Sequence, residues 1–596
     1  MTGKPNPRPA GRPGTGGKTL FTKNLHDWFT FTAPKAQSMT ATALATGLPD
    51  VDIGVSFVAR QLRIGLEYYT AGRIDDAIAA YQRGLAAAEN EPPGSVSVAT
   101  IADLHSHLGN AGMVRGDLAL AAANYKAALR LAPSLTSCWC NLGMAYHKAG
   151  KPQEAVAYYL QALKLNPGHW PSRTNLVEAV MATKQYIIAR GLLLEMVGER
   201  PQDGTLCHQL GKVHFELNEP QAAIARFEQA IALNPRDAES LYWIGGIKQQ
   251  AGEIEAAKAA YAEGARIQPL IRRPAAKVPA DFRVLALYGP FAGNTPTEYL
   301  FKDVAFDTDT LSLFAFNQYD VKALKLDVQV VVNLISDADQ ADGLLPMAAD
   351  LVDRVGKPTV NDPRKIGKTT RDAVAELLAG IPGCKVPKVL RQTAGSELSM
   401  ATLRAAIPSS SILARPAGTH GGDDFEKIED PVELTAFLAR HPDADHYLIE
   451  YVDYRSADGH FRKYRFIFVG DQILPYHLAI GNDWKVHHVS TDMANQPWMQ
   501  AEEEAFLQDP ARVFNSGRYE ALRAIQQHIG LEYFGIDCGL DRAGNLVVFE
   551  VNASMLVHER NEDFPYKAPF VFRIKQAFDA MLHKFARAGA SAPDRA

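Results

Sequence analysis

The chain has 596 residues, too many for one hydrophobic core and enough for three or four domains. Its 62 Lys and Arg against 67 Asp and Glu leave a formal charge of -5, so no global positive field draws in nucleic acid or an anionic membrane. The five cysteines form no CxxC pair and no ligand set, no apolar run reaches membrane-spanning length, and the basic N-terminus lacks the apolar stretch of a signal peptide. The expectation is a cytoplasmic protein with buried thiols and no nucleic-acid partner. Residues 1–17 are Pro- and Gly-rich and read as a disordered tail. Residues 18–54 carry Phe21, Leu25, Trp28, Phe29 and Phe31, apolar surface with no docking place readable from sequence.

From 55 to 270 the chain repeats. Pro133, Pro167, Pro201, Pro235 and Pro269 are spaced by 34 residues. Gly109, Gly143, Gly211 and Gly245 keep the same period, with Val177 in the one departing slot. Tyr125, Tyr159, Phe227 and Tyr261 keep it too, with Leu193 in the corresponding slot. Each unit reads as two amphipathic helices, a small residue where they cross, an aromatic filling the gap, and a Pro beyond the second helix. This resembles the tetratricopeptide repeat (TPR), and Gly65 with Tyr81 adds an earlier unit, making about six. The 44-residue step from Gly65 to Gly109 reads as an inserted loop around Glu89–Val98. Stacked units form a solenoid whose concave face takes a protein or peptide. Asn141 and Asn175 occupy equivalent positions, where they either clamp a peptide backbone or face solvent.

Beyond Pro274 the pattern changes to short apolar runs between helices. Phe282–Gly289 and Val328–Ser336 read as buried parallel strands of an α/β domain over 281–390. The segment Val360–Arg391 reads as strand end, helix and a new strand. Next, a strand ends at Arg415 and runs into a loop with Gly418, Gly421 and Gly422, whose backbone N–H groups can close over phosphates. His420 in that loop either donates to a phosphate or faces solvent. A hairpin about Gly470-Asp471 puts Lys463, Arg465 and Ile467 on one strand face. That basic pair suits an anionic substrate. His487 and His488 are adjacent and point apart with no third ligand, so zinc is not expected.

The last hairpin, Phe534–Met555, carries the metal expectation. A two-residue loop at Ala543-Gly544 sets Asp537 opposite Glu550, and Asn552 shares the face of Glu550. Gly535 and Gly539 read as residues too small to block approach to Asp537. Facing carboxylates repel, and an all-oxygen set suits a hard cation such as one or two Mg²⁺ carrying nucleotide phosphates. A solvated polar face is the alternative for a lone Asp/Glu pair. Asn552, and the apolar opposite face of Val547, Phe549 and Val551, favour the metal.

These parts together resemble the ATP-grasp enzymes of the glutathione synthetase and RimK-like branch, over about half the chain from residue 281, with the nucleotide domain at 391–590. The fold class expected is thus multidomain, an all-α TPR solenoid followed by an α+β ATP-grasp region with an α/β pre-ATP-grasp domain. The resemblance implies an ATP-dependent carboxylate–amine ligase working through an acyl phosphate. It implies phosphate binding by Arg415 and the glycine lid, adenine recognition at the backbone near Glu450 and Val452, and an Arg465 that steadies the acyl phosphate beside a substrate-facing Lys463. It implies ATP and Mg²⁺ held by Asp537, Glu550 and Asn552. The chain departs from the family in three places. Ala373 stands where the entry helix carries Lys, with Arg371 and Lys368 nearby; Arg415 stands for Lys; Lys463 stands for Asp. These departures leave open a non-catalytic TPR scaffold whose nucleotide domain acts as a switch. A small-molecule ligase in which the repeats serve only oligomerisation is a third reading.

Overall fold

The computed structural model describes residues 56–290, 293–314, 319–325, 327–341, 343–419, 424–486, 491–559 and 561–591. The expected tail, the segment 18–54, and His420, Gly421, Gly422, His487 and His488 lie outside the described residues. The described chain divides into two compact units, one within Pro34–Gly264 and one within Ala265–Ala596.

The first unit is a run of antiparallel helix pairs, from Phe57–Thr70 with Ile74–Asn90 to Ala238–Gln250 with Ile254–Ile267. The glycine and aromatic registers meet as the period requires. A Cβ on Gly109 or Gly143 would stand 2.6 Å from the ring of Tyr125 or Tyr159, and on Gly211 2.7 Å from Phe227. Only hydrogen fits there. In the departing slot Val177 and Leu193 are both fully buried, so the larger small residue is matched by a smaller partner. The insertion between Gly65 and Gly109 is not a loop alone. The helix Ile74–Asn90 has 17 residues where its counterparts Leu118–Leu131 and Pro152–Leu165 have 14, and Val98–Arg115 has 18 where Thr136–Lys148 has 13. Asn141 and Asn175 are half-buried and donate to Asn110 Oδ1 and Cys140 Sγ of the preceding pair.

The second unit is mixed α/β with three sheets. The first comprises β1 (Leu270–Arg273), β2 (Arg283–Tyr288), β3 (Asp307–Ser312), β4 (Val330–Asn333) and β5 (Thr359–Val360), in the order β1-β3-β2-β4-β5. All its pairings are parallel except that of β1, an edge strand the sequence reading left unassigned. Within it β2 and β4 bury the apolar runs Val284–Leu287 and Val330–Val332 because both faces are covered, whereas the interior β3, DTDTLS, is mostly polar. The second, antiparallel sheet has the order β7 (Val389–Gln392), β10 (His446–Glu450), β8 (Ile412–Pro416), β9 (Glu426–Ile428). The third runs β12 (Gln472–Gly481), β11 (Phe461–Val469), β13 (Tyr533–Leu540), β14 (Leu546–Asn552), β6 (Cys384–Lys385). One core joins the first and third sheets, with Leu285, Leu287 and Val331 in the same cluster as Phe466, Phe534 and Ile536.

Asp537 does face Glu550, but by another route than a two-residue turn. The loop is Asp541–Asn545, closed by the Asp541 carboxylate accepting from the N–H groups of Ala543 and Asn545, with Gly544 at φ +82°. Leu540 therefore pairs with Leu546, one step out of the expected register, and an irregularity between Asp537 and Cys538 restores it. Phe549 is the extra residue, a β-bulge.

Candidate functional site

The bulge matters because it frees a carbonyl. The Phe549 C=O, unpaired across the hairpin, accepts a hydrogen bond of 3.1 Å from Arg371 on the helix Arg371–Leu377. The same guanidinium lies 3.2 Å from Glu550. Arg371 is thereby fixed in the wall of a cleft of about 40 Å³ whose lining comes from four distant parts of the unit. Ser336, Asp337 and Asp339 come from the end of β4, and Thr369, Thr370 and Arg371 from the entry helix. Arg415, Gly418 and Thr419 come from the end of β8, and Glu550, Asn552 and Ser554 from β14.

Arg415 is 5% exposed and its guanidinium is held by Thr419, through Oγ1 and the backbone carbonyl. Burial, with Arg371 nearby, pulls its pKa down to about 10. Two guanidiniums near one another, with a polar cleft beside them, make a place for an anion. Asn552 carries Ser554 on its Oδ1, through the N–H at 2.7 Å and the hydroxyl at 2.6 Å, and donates to Glu550 at 3.3 Å. Gly418, at φ +73°, lets the chain turn back into the wall, and its carbonyl accepts from Gln340.

Beside Arg371 and Glu550 lies a second, narrower space of about 10 Å³, lined by Val374, Val386, Pro387, Val389, Ile449 and Val548. Both spaces share Arg371, Glu550 and Val551. An apolar slot between two sheets thus borders a hydroxyl-lined cleft that carries two guanidiniums and three carboxylates.

The remaining expected residues sit elsewhere. Asp537, 4% exposed, is gripped by Arg465 through two bonds of 2.6 and 2.9 Å and by Lys463 at 3.2 Å, and lies outside the cleft wall. Burial alone would raise its pKa; Arg465 and Lys463 hold it far below the ordinary carboxylate range. Arg465 and Lys463 therefore serve Asp537 and do not face the cleft as expected. Gly535 and Gly539 do not open an approach to Asp537 either: a Cβ at Gly535 would stand 2.6 Å from Met555, and at Gly539 2.8 Å from Tyr454. Glu450 accepts from the Lys388 N–H at 3.1 Å, Val452 is buried, and it is the neighbouring Ile449 that lines the slot.

Arg465 also pairs in register with His477 of β12, behind which lies a buried polar cluster. His477 Nδ1 meets Glu503 and, at 2.8 Å, Lys567; Lys567 lies 3.2 Å from Glu503, which also accepts from the Tyr566 hydroxyl at 2.6 Å. Burial brings the His477 pKa down to about 4. The Glu503 carboxylate, despite a burial that opposes charge, is held at about 2 by His477 and Lys567.

Sequence reasoning missed Ser336, Asp337, Asp339, Thr369, Thr370, Thr419 and Ser554. One signal was available: Ser336 and Asp337 directly follow a parallel strand, the end at which open α/β sheets present their binding crevice.

Tetratricopeptide repeat models match residues 137–169, and 62–136 with 208–270. The helical unit is built of tetratricopeptide repeats. Among curated proteins, the human Protein O-mannosyl-transferase TMTC3 is 26% identical over 132 residues, 22% of this chain and 14% of that protein. The General transcriptional corepressor trfA of Dictyostelium discoideum is 26% identical over 127 residues, 21% of this chain and 9% of that one. The chain thus spans a small fraction of these relatives. Among solved structures, MamA from Desulfovibrio magneticus is 20% identical and covers 28% of this chain and 94% of its own, with a TM-score of 0.27. A D-alanine–D-alanine ligase from Bacillus anthracis complexed with ATP is 12% identical, covers 52% of this chain and 99% of its own, and has a TM-score of 0.33. Among the described residues no helix is long and apolar enough to cross a membrane.

Proposed function

We propose that the α/β unit is an ATP-dependent carboxylate–amine ligase of ATP-grasp type, and that the repeats bring it a protein or peptide. The observation that carries this reading is the junction of the apolar slot with the cleft bearing Arg371 and Arg415. The apolar lining of the first suits the faces of a purine once the slot widens, and the guanidiniums of the second suit a polyphosphate. Arg371 supplies the cation that Ala373 cannot, and Arg415 forks onto phosphate oxygens where the family uses Lys.

In the reaction, a substrate carboxylate attacks the γ-phosphoryl group, ADP leaves, and an amine displaces phosphate from the acyl phosphate to give an amide. The two guanidiniums would stabilise charge on the transferring phosphoryl, and the hydroxyls of Thr370, Thr419 and Ser554 would orient its oxygens.

Mg²⁺, when bound, neutralises phosphate charge. Glu550 fits it as a carboxylate on the cleft wall, and Mg²⁺ needs only one or two carboxylates beside the phosphates; Asn552 would join it only by giving up the two bonds its Oδ1 accepts from Ser554. Asp537 does not fit, because both its oxygens are held by Arg465 and Lys463. Among the described residues no three His, Cys, Asp or Glu side chains are grouped to hold a metal.

The non-catalytic reading keeps one supporting observation, the engagement of Arg465 and Lys463 away from the cleft. ADP release measured with a panel of peptides and amino acids separates the two. Substrate-dependent release abolished by Arg415→Gln supports the ligase. Tight ATP binding without release on any substrate supports the switch.

A further inference from the structure

Asn110, Met144, Glu178 and Lys212 recur at the 34-residue period, each on the first helix of its repeat. The neighbour on the next first helix lies 31 residues further: Asn141 donates to Asn110 at 3.0 Å, and Lys212 stands 5.8 Å from the centre of the Trp243 ring. By the same step Glu178 is neighboured by Gln209. Successive first helices from Phe57–Thr70 to Trp170–Ala182 pack against one another, and successive second helices less so, which puts this row on the inner, concave side of the stack.

The charges along the row are matched except at one place. Lys212 lies 3.6 Å from Glu239, which lies 3.2 Å from His208, itself 3.6 Å from Asp237. Burial opposes charge on His208, but Asp237 and Glu239 outweigh it and raise its pKa. With His208 charged, it and Lys212 balance Asp237 and Glu239. Glu178 is left over. It is half-buried, it feels Lys212 only as a more distant charge, and among the described residues no side chain hydrogen-bonds to it or forms an ion pair with it. Asn175, three residues earlier on the same helix face, spends its Nδ2 on Cys140, and no described residue donates to its Oδ1. A carboxylate and an amide oxygen side by side, neither holding a donor, take an ammonium or a guanidinium. The uncharged amides of Asn110 and Asn141 continue the row and suit a peptide backbone, so the ligand is a chain and not a free amine. We propose that the concave face selects an extended peptide whose Lys or Arg side chain seats on Glu178 and Asn175; this rests on the reading of the repeats as the part that brings a peptide to the ligase.

Binding of the full chain, without nucleotide, to a positional-scanning library of short acetylated and amidated peptides tests it. Enrichment of Lys or Arg at one position is expected, and replacing that residue by Gln in the selected peptide should weaken binding about tenfold or more. Glu178→Gln, of unchanged helicity, should remove the preference, and Glu178→Lys should turn it towards Asp or Glu. Glu255→Gln, exposed on a second helix, should keep it. Selective binding by a protein that releases no ADP on any substrate would break the ligase reading and leave this one standing. No enrichment at any position, a preference unchanged by Glu178→Gln, or spermidine bound as tightly as the selected peptide would overturn the proposal.

Discussion

Glycine does the same physical work in both units, yet only one unit announces it. Gly211 in the repeats and Gly535 in β13 each leave room for a side chain, Phe227 and Met555 respectively. In the repeats the partner lies at a constant separation and recurs every 34 residues, so the pattern is visible without coordinates. In the α/β unit Met555 is reached across a hairpin and occurs once, so Gly535 reads falsely as an opening to a ligand. Structure made of local, repeated contacts is legible in sequence; structure made of single, distant ones is not.

Asp537 and Glu550 bring the same contrast into the site, and substitution should separate them. Asp537→Asn leaves Arg465 and Lys463 without a buried counter-charge and should cost the α/β unit about 3–5 kcal/mol of stability, measured by chemical unfolding. Glu550→Gln, on the open cleft wall, should cost little stability and reduce Mg²⁺-dependent nucleotide affinity. If Asp537→Asn were as stable as the wild type, Asp537 would be a ligand kept for function and not the anchor of a buried ion group.

In the repeats, Gly211→Val should destabilise by about 1–3 kcal/mol through overpacking against Phe227. Adding Phe227→Leu should recover most of that loss, because Val177 with Leu193 already realises the combination. A double-mutant cycle showing simple additivity would contradict this account of the departing repeat.

The pH response should be smallest near neutrality and grow below it. His477 is neutral in the fold with its pKa brought down to about 4, so below about 6.5 the unfolded chain takes up a proton that the folded chain refuses. Glu503, lowered to about 2, acts in the same sense: its contribution is present above the unfolded value of about 4.3 and is lost as pH falls towards 2. Hydrogen exchange along β12 should therefore accelerate as pH drops from 6.5 to 4, after correction for intrinsic rates. A flat profile would mean that His477 is charged in the fold.

The sequence reading placed the repeats, most strands of the α/β unit and the facing of Asp537 and Glu550. It reached that last register by a turn the chain does not use, the longer loop and the bulge at Phe549 compensating one another. It treated Lys463 and Arg465 as facing substrate because strand alternation tells which residues share a face and not what lies opposite on the next strand. β13 puts Asp537 there. The cleft itself was mostly invisible, since Ser336, Arg371, Arg415 and Ser554 converge from separations of tens to hundreds of residues.

The central claim is that Arg371, Arg415 and the slot behind them bind a nucleotide. Calorimetric titration of the full chain with ATP and Mg²⁺, against Arg371→Met of verified fold, tests it most directly. The account predicts saturable one-site binding by the wild type, weakened about 10- to 100-fold in the variant through loss of a charge-assisted hydrogen bond. A well-folded wild type that binds no ATP, or a variant that binds as tightly as the wild type, would contradict it.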